Sequence, residues 1–136
     1  MSPDRLLGTW DVTMDHHAVD EPVAGRQVYT SILDGAYVHL DWTYEHDEFP
    51  DAVALLAETR MHYFDVRGLT RVFEVEWDDA GYTMVKADPE FAQRFTARFE
   101  GPDVLVTTGE YSEDGGATWS HDFTTTARRS AGHPVS

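Results

Sequence analysis

Cysteine is absent from this 136-residue chain, which rules out a disulfide framework and any thiol chemistry. Lysine is almost absent too. Lys86 stands beside nine arginines and 25 acidic residues, and the formal net charge is −15. A surface so poor in positive charge argues against nucleic acid and acidic membrane as partners, because phosphates are held by basic side chains. No apolar run approaches the roughly 20 residues of a membrane-spanning helix, and the opening MSPDRLLGTW lacks the apolar stretch of a secretory signal. These absences lead to the expectation of a cytoplasmic protein. Low Lys with abundant Ala, Asp, Arg and Val fits a bacterial source of high GC content. Internal repeats at a solenoid or propeller period are also missing. The length is that of one domain, which buries roughly two thirds of its unfolded surface and has room for a core with a cavity.

What is present begins with YSEDGGATW at residues 111–119, where Ser112, Asp114, Gly116, Thr118 and Trp119 spell S-x-D-x-G-x-T-W. The spelling resembles the Asp-box, a hairpin repeated in sialidases and other propeller proteins. A propeller needs several four-stranded blades, and one copy in a chain of this size excludes a sialidase. The local meaning survives: Asp114 can accept from its own downstream amides, the glycines supply positive φ, and Thr118 and Trp119 restart a strand.

Most of the chain alternates with period two between turn signals. GTWDVTMDH (8–16) puts Trp10, Val12, Met14 and His16 on one face. GRQVYTSI, the turn LDGA and YVHLDWTYE read as a hairpin whose second strand shows Val38, Leu40, Trp42 and Tyr44 on its apolar side. DAVALLAE after Pro50 reads as a two-turn helix, a lid or crossover. Strands resume at TRMHYFDV, TRVFEVEW, YTMVKA, FAQRFTARFE and VLVTTGEYS, and end with TWSHDFTTTARR. Nine strands emerge, whereas simple up-and-down closure wants an even number, so one is missed, split or merged. The fold expected is all-β, a single antiparallel up-and-down barrel of eight to ten strands over residues 1–129 with one short lid helix. Residues 130–136 are expected to form a flexible tail.

If the more apolar face of each strand points inward, the lumen receives Trp10, Met14, His16, Leu40, Trp42, Tyr44, Phe73, Trp77, Phe95, Trp119, His121 and Phe123. His62 is equivocal, because RMHYF offers either face. Arg71 shares a face with Phe73 and is the candidate for a buried carboxylate anchor, resembling the arginine of fatty-acid-binding proteins, unless it stops at the rim. Arg94 and Arg98 alternate with the aromatic face of their strand and belong outside.

GTW at residues 8–10 and the basic pair Arg128 and Arg129 at the end of the last strand resemble the calycins, the superfamily of lipocalins, fatty-acid-binding proteins and nitrobindins. ILDGAYVHLDWTY is similar to a hairpin in bacterial lipocalin-like domains of unknown function. The resemblance implies a barrel floor closed by Trp10, with an arginine of the last strand packed over its ring. It also implies a ligand cavity. Nitrobindins carry a haem-ligating histidine on their last strand, which makes His121 a candidate for haem. Counting back from the terminal basic pair brings that position closer to Asp122.

The histidines invite two more readings. His16, His17, His46, Asp47 and Glu48 fall in segments that end at one rim, a set suited to zinc, but no spacing fixes a coordination geometry, and solvated loop residues are the simpler account. As acid-base groups in an apolar cavity, His16, Tyr44 and His121 are the candidate catalytic residues. The leading expectation is a binder of an apolar or aromatic small molecule, with Trp10, Met14, Leu40, Trp42, His62, Arg71, Phe73, Trp77, Phe95, Trp119 and Phe123 as ligand-binding residues. The alternatives are a cofactor-free cyclase, isomerase or decarboxylase of bacterial specialised metabolism acting in the same cavity, and a haem protein. A homodimer is left open.

Overall fold

A computed structural model describes residues 3–130. A short 3-10 turn, Pro3–Leu6, leads into ten strands: β1 Gly8–His16, β2 Val23–Ile32, β3 Tyr37–Tyr44, β4 Ala52–Leu56, β5 Arg60–Asp65, β6 Thr70–Asp78, β7 Gly81–Lys86, β8 Ala92–Phe99, β9 Val104–Ser112 and β10 Ser120–Arg129. Each strand pairs antiparallel with its sequence neighbours, and β1 pairs with β10, so the sheet closes into an up-and-down barrel without a free edge. Of the tail expected at 130–136, residues 131–136 lie outside the described residues, and the Ser130 amide donates to the Thr9 carbonyl at 2.9 Å.

The expected lid helix is corrected. Its residues form β4, with Ala52, Ala54 and Leu56 buried in the barrel and Val53 and Leu55 on the outer wall. A two-turn helix is marginal by itself, whereas β4 gains backbone pairing on both sides, Leu40↔Ala54 on β3 and Ala54↔Tyr63 on β5. This strand supplies the even count that closure needs.

One end of the barrel is sealed. Trp10 is fully buried, and its Nε1–H donates to the Leu6 carbonyl at 2.8 Å. The guanidinium of Arg129 lies 4.3 Å over the Trp10 ring and donates to the carbonyls of Leu7 at 2.5 Å, Arg5 at 2.8 Å and Pro102 at 3.1 Å. A cation on an aromatic face and three carbonyls thus tie the first strand, the entry turn and a distant loop to the last strand. Arg5 covers Phe99 in the same layer, 3.9 Å from the ring centre.

The Asp-box is a structural hairpin between β9 and β10. Asp114 accepts from the Thr118 amide at 2.9 Å and its hydroxyl at 2.5 Å, while Ser112 Oγ accepts from the Gly116 amide at 2.8 Å. Gly115 and Gly116 adopt φ of 75° and 99°, a region that side chains disfavour. These bonds hold the Asp114 carboxyl well below the usual range, chiefly through the Ser112 and Thr118 side chains.

Candidate functional site

The opposite end of the barrel is open and contains a cavity of about 300 Å³. That volume matches one small ligand, at the lower end of the roughly 300–1,000 Å³ common for such sites. β1 supplies Met14 and His16, β3 Trp42 and Tyr44, β5 Met61 and Tyr63, β6 Arg71 and Phe73, β8 Gln93 and Phe95, and β10 Asp122 and Phe123. Alternation places these side chains inward, and Gly109 on β9 makes room for them. A β-carbon there would overlap the Phe123 ring, which packs edge-on against Phe95 at 5.4 Å. Beneath the cavity a void of about 30 Å³ is lined by Gln27, Tyr29, Leu40, Tyr82, Thr107 and Thr125 among others.

The loop at residues 45–51 contributes Glu48, Phe49 and Pro50 to the lining, and the Phe49 ring lies 5.0 Å from His16, 5.3 Å from His46 and 5.8 Å from Tyr44. Burial pushes the Tyr44 phenol well above its usual value, opposed by the neighbouring Trp42 indole, whose N–H stops short of hydrogen-bond geometry. Tyr44 therefore stays protonated, a donor and not a base. Burial also pushes Tyr63 up to about 12, and its hydroxyl donates to Asp65 Oδ2 at 2.9 Å.

Of the residues singled out in the sequence, Met14, His16, Trp42, Tyr44, Arg71, Phe73, Phe95 and Phe123 line this cavity. Leu40 lies in the void below it, and Trp10 is floor. Four positions are corrected. Trp77 sits at the sealed end against the Tyr82 ring, 4.7 Å away. His62 is on the outer wall, in a shallow apolar groove with Leu33, Tyr37, Leu55 and Phe64. Trp119 is outside the barrel under the Arg94 guanidinium, at 4.3 Å.

His121 is also outside, exposed, with Nε2 2.9 Å from Thr124 Oγ1. A β-bulge between His121 and Phe123 adds one residue to β10, because His121 pairs with Glu110 while Phe123 already pairs with Gly109. A bulge shifts the side-chain alternation, and here it turns Asp122 into the cavity and His121 away. An exterior His121 offers neither a haem ligand nor a catalytic base to the lumen.

Asp122 is the polar centre that the alternation missed. His16 Nε2 lies 3.2 Å from its Oδ1, and His17 Nδ1 lies 3.0 Å from the same oxygen. The two rings stack at 4.6 Å. Two imidazoles and a carboxylate with donor atoms within 4.8 Å have the composition of a metal site. The outer hydrogen bonds oppose it. The Ala18 amide donates to His16 Nδ1 at 3.0 Å, so that nitrogen carries a lone pair and Nε2 carries the proton, directed at Asp122. A ligating histidine needs the reverse, a free Nε2 and a protonated Nδ1 facing an acceptor. Both nitrogens of His16 are occupied in the neutral ring. Burial lowers its pKa, with Asp122 acting in the opposite direction. As a general base for a ligand, His16 has no free lone pair.

The fold and cavity define a closed ten-stranded antiparallel barrel with one sealed end and one open, aromatic-lined end. No protein-family model and no curated protein matches the chain. Among solved structures it is similar to the S-type phycobiliprotein lyase CPES from Guillardia theta, with a TM-score of 0.61 and 14% identity over 96% of this chain and 91% of that one. It is also similar to EF1p2_mFAP2b bound to DFHBI, with a TM-score of 0.52 and 12% identity over 95% and 97%. A de novo designed fluorescence-activating β-barrel gives a TM-score of 0.50 and 10% identity over 93% and 95%. At these identities the likeness is one of fold.

Proposed function

We propose that this is a calycin-like barrel that binds one small, planar aromatic molecule in the open-end cavity. The observation that carries the reading is the lining: Trp42, Tyr44, Phe49, Tyr63, Phe73, Phe95 and Phe123 surround a space of about 300 Å³ that one face of the fold leaves unfilled. Rings prefer offset or edge-on partners at about 4.5–7 Å, and a flat ligand between these walls meets them at such distances. Fold neighbours named as a phycobiliprotein lyase, as a fluorescence-activating β-barrel and as a protein bound to DFHBI support a barrel of this shape as a holder of small molecules.

Turnover in the same cavity, by cyclisation, isomerisation or decarboxylation, is a second reading, favoured by the Asp122 carboxylate that two histidines hold at the edge of the ligand space. Native mass spectrometry of the full chain, purified gently from its own host, tests both. A retained organic mass with an absorption band is expected for the binder, and a mass that changes on incubation for the enzyme. An empty barrel that also fails to enhance the fluorescence of phenylnaphthylamine would sink the binding reading.

A further inference from the structure

We propose that two copies of this chain associate through the outer wall of β4, β5 and β6, on the flank of the barrel and away from the ligand cavity. Nine large apolar side chains are exposed among the described residues, and eight of them lie on this wall or at its two ends. Val53, Leu55, Phe64 and Val72 point outward from the three strands, and the pairings Val53↔Phe64, Leu55↔His62 and His62↔Val72 set them side by side. Leu33 and Tyr37 extend the patch toward the sealed end, in one groove with Leu55 and Phe64. Val66 extends it toward the open end, in a second groove with Val53 and Phe64, and Leu69 follows in the same turn. The ninth, Phe91, lies before β8 and stacks on Tyr111 at 5.9 Å.

Scattered exposed apolar residues are ordinary, whereas a continuous patch asks for a cover. At 36–76% exposure the eight side chains present roughly 800 Å², about what one partner contributes to a standard interface and more than the roughly 300–600 Å² of a monomer's largest apolar patch. Charge selects the occupant. In a chain of net charge −15, the wall's centre at Leu55, His62 and Phe64 carries no carboxylate, and its rim carries both signs. Arg60, 3.1 Å from Glu74, lines the sealed-end groove, and Asp41 and Asp51 line the open-end groove. A basic partner would be drawn to the acidic remainder of the surface, and an acidic partner would be repelled by it. A twofold axis across the strands lays the Arg60 end of one copy over the Asp41 and Asp51 end of the other, apolar centre on apolar centre. The closed sheet has no free edge for strand addition, so face-to-face packing of the wall is the route left to a second copy.

Sedimentation velocity of the full chain over a range of micromolar concentrations tests this. The wild type is expected to sediment as a dimer. Leu55→Glu and Phe64→Glu should each weaken association roughly tenfold or more, because a twofold contact brings the two added carboxylates together. Phe64→Gln, which adds no charge, should weaken it by a smaller factor and stands in if a glutamate unfolds the strand. Phe91→Glu, at the exposed apolar residue off the wall, should leave the dimer intact. Cooperative thermal unfolding near the wild-type temperature identifies the folded variants. A wild type that stays monomeric throughout overturns the proposal, also where it binds vesicles of neutral phosphatidylcholine instead. A dimer that the folded Leu55 and Phe64 variants leave unchanged overturns it as well, by placing the contact elsewhere.

Discussion

His16 and Asp122 are joined through Nε2 and Oδ1 at 3.2 Å, and the pair bridges the two strands whose meeting closes the barrel, β1 and β10. Because burial lowers the His16 pKa, the neutral ring is the form the fold favours. The sign follows: the unfolded chain takes up the proton first, so the His16 contribution to stability is present above about pH 6.5 and is lost as pH falls through the folded value. An NMR titration of the ring protons should place His16 below 6.5. In Asp122→Ala the His16 value should fall further, because the carboxylate acts to raise it. The same variant should cost about 1–3 kcal/mol in urea unfolding, as the His16 ring N–H loses its acceptor while His17 Nδ1 keeps the Asp122 backbone carbonyl at 3.0 Å.

At the sealed end, Arg129→Ala removes a cation from the Trp10 face and donors from the carbonyls of Arg5, Leu7 and Pro102. A loss of about 2–3 kcal/mol is expected, with Arg129 about a third exposed and therefore discounted from a fully buried network. Ligand affinity at the far end should be unchanged. Chemical denaturation, paired with a probe titration on the folded variant, reads both.

Gly109 and Phe123 set the width of the lumen, since a methyl group on Gly109 would occupy the place of the Phe123 ring. Gly109→Ala should destabilise by about 1–3 kcal/mol through overpacking. If the protein relaxes by swinging Phe123 into the cavity, phenylnaphthylamine binding weakens as well. Normal binding in a stable Gly109→Ala protein would show that Phe123 moves elsewhere.

The same geometry explains what the sequence could and could not reveal. Period-two alternation located the lining on β1, β3, β6 and β8 because regular strands preserve it. β4 escaped because AVALL is apolar on both faces, and its outward Val53 and Leu55 join Phe64 and Val72 among the exposed apolar residues of the outer wall. With no polar alternate, the period-two signal vanishes and Ala and Leu read as helix formers. Tyr63 and Met61 were obscured by the same ambiguity on β5. Asp122 was hidden by the bulge, which no residue type announces; counting back by twos through Ala127, Thr125 and Phe123 puts His121 inward and Asp122 outward, the reverse of what the irregularity produces.

That phase error supplies a further test. Counting back by two from the buried Phe123 puts His121 in the lumen, whereas the bulge leaves it in solvent beside Thr124. His121→Ala should therefore change stability by no more than about 0.5 kcal/mol, as expected for a surface substitution. Retained ligand, probe affinity and any turnover should stay at wild-type levels. Asp122→Ala should alter them, because its carboxylate faces the cavity. The comparison separates the two neighbouring residues by function: an effect confined to Asp122 places the working face of β10 after the bulge, and an effect confined to His121 would mean that the strand holds its regular phase in solution.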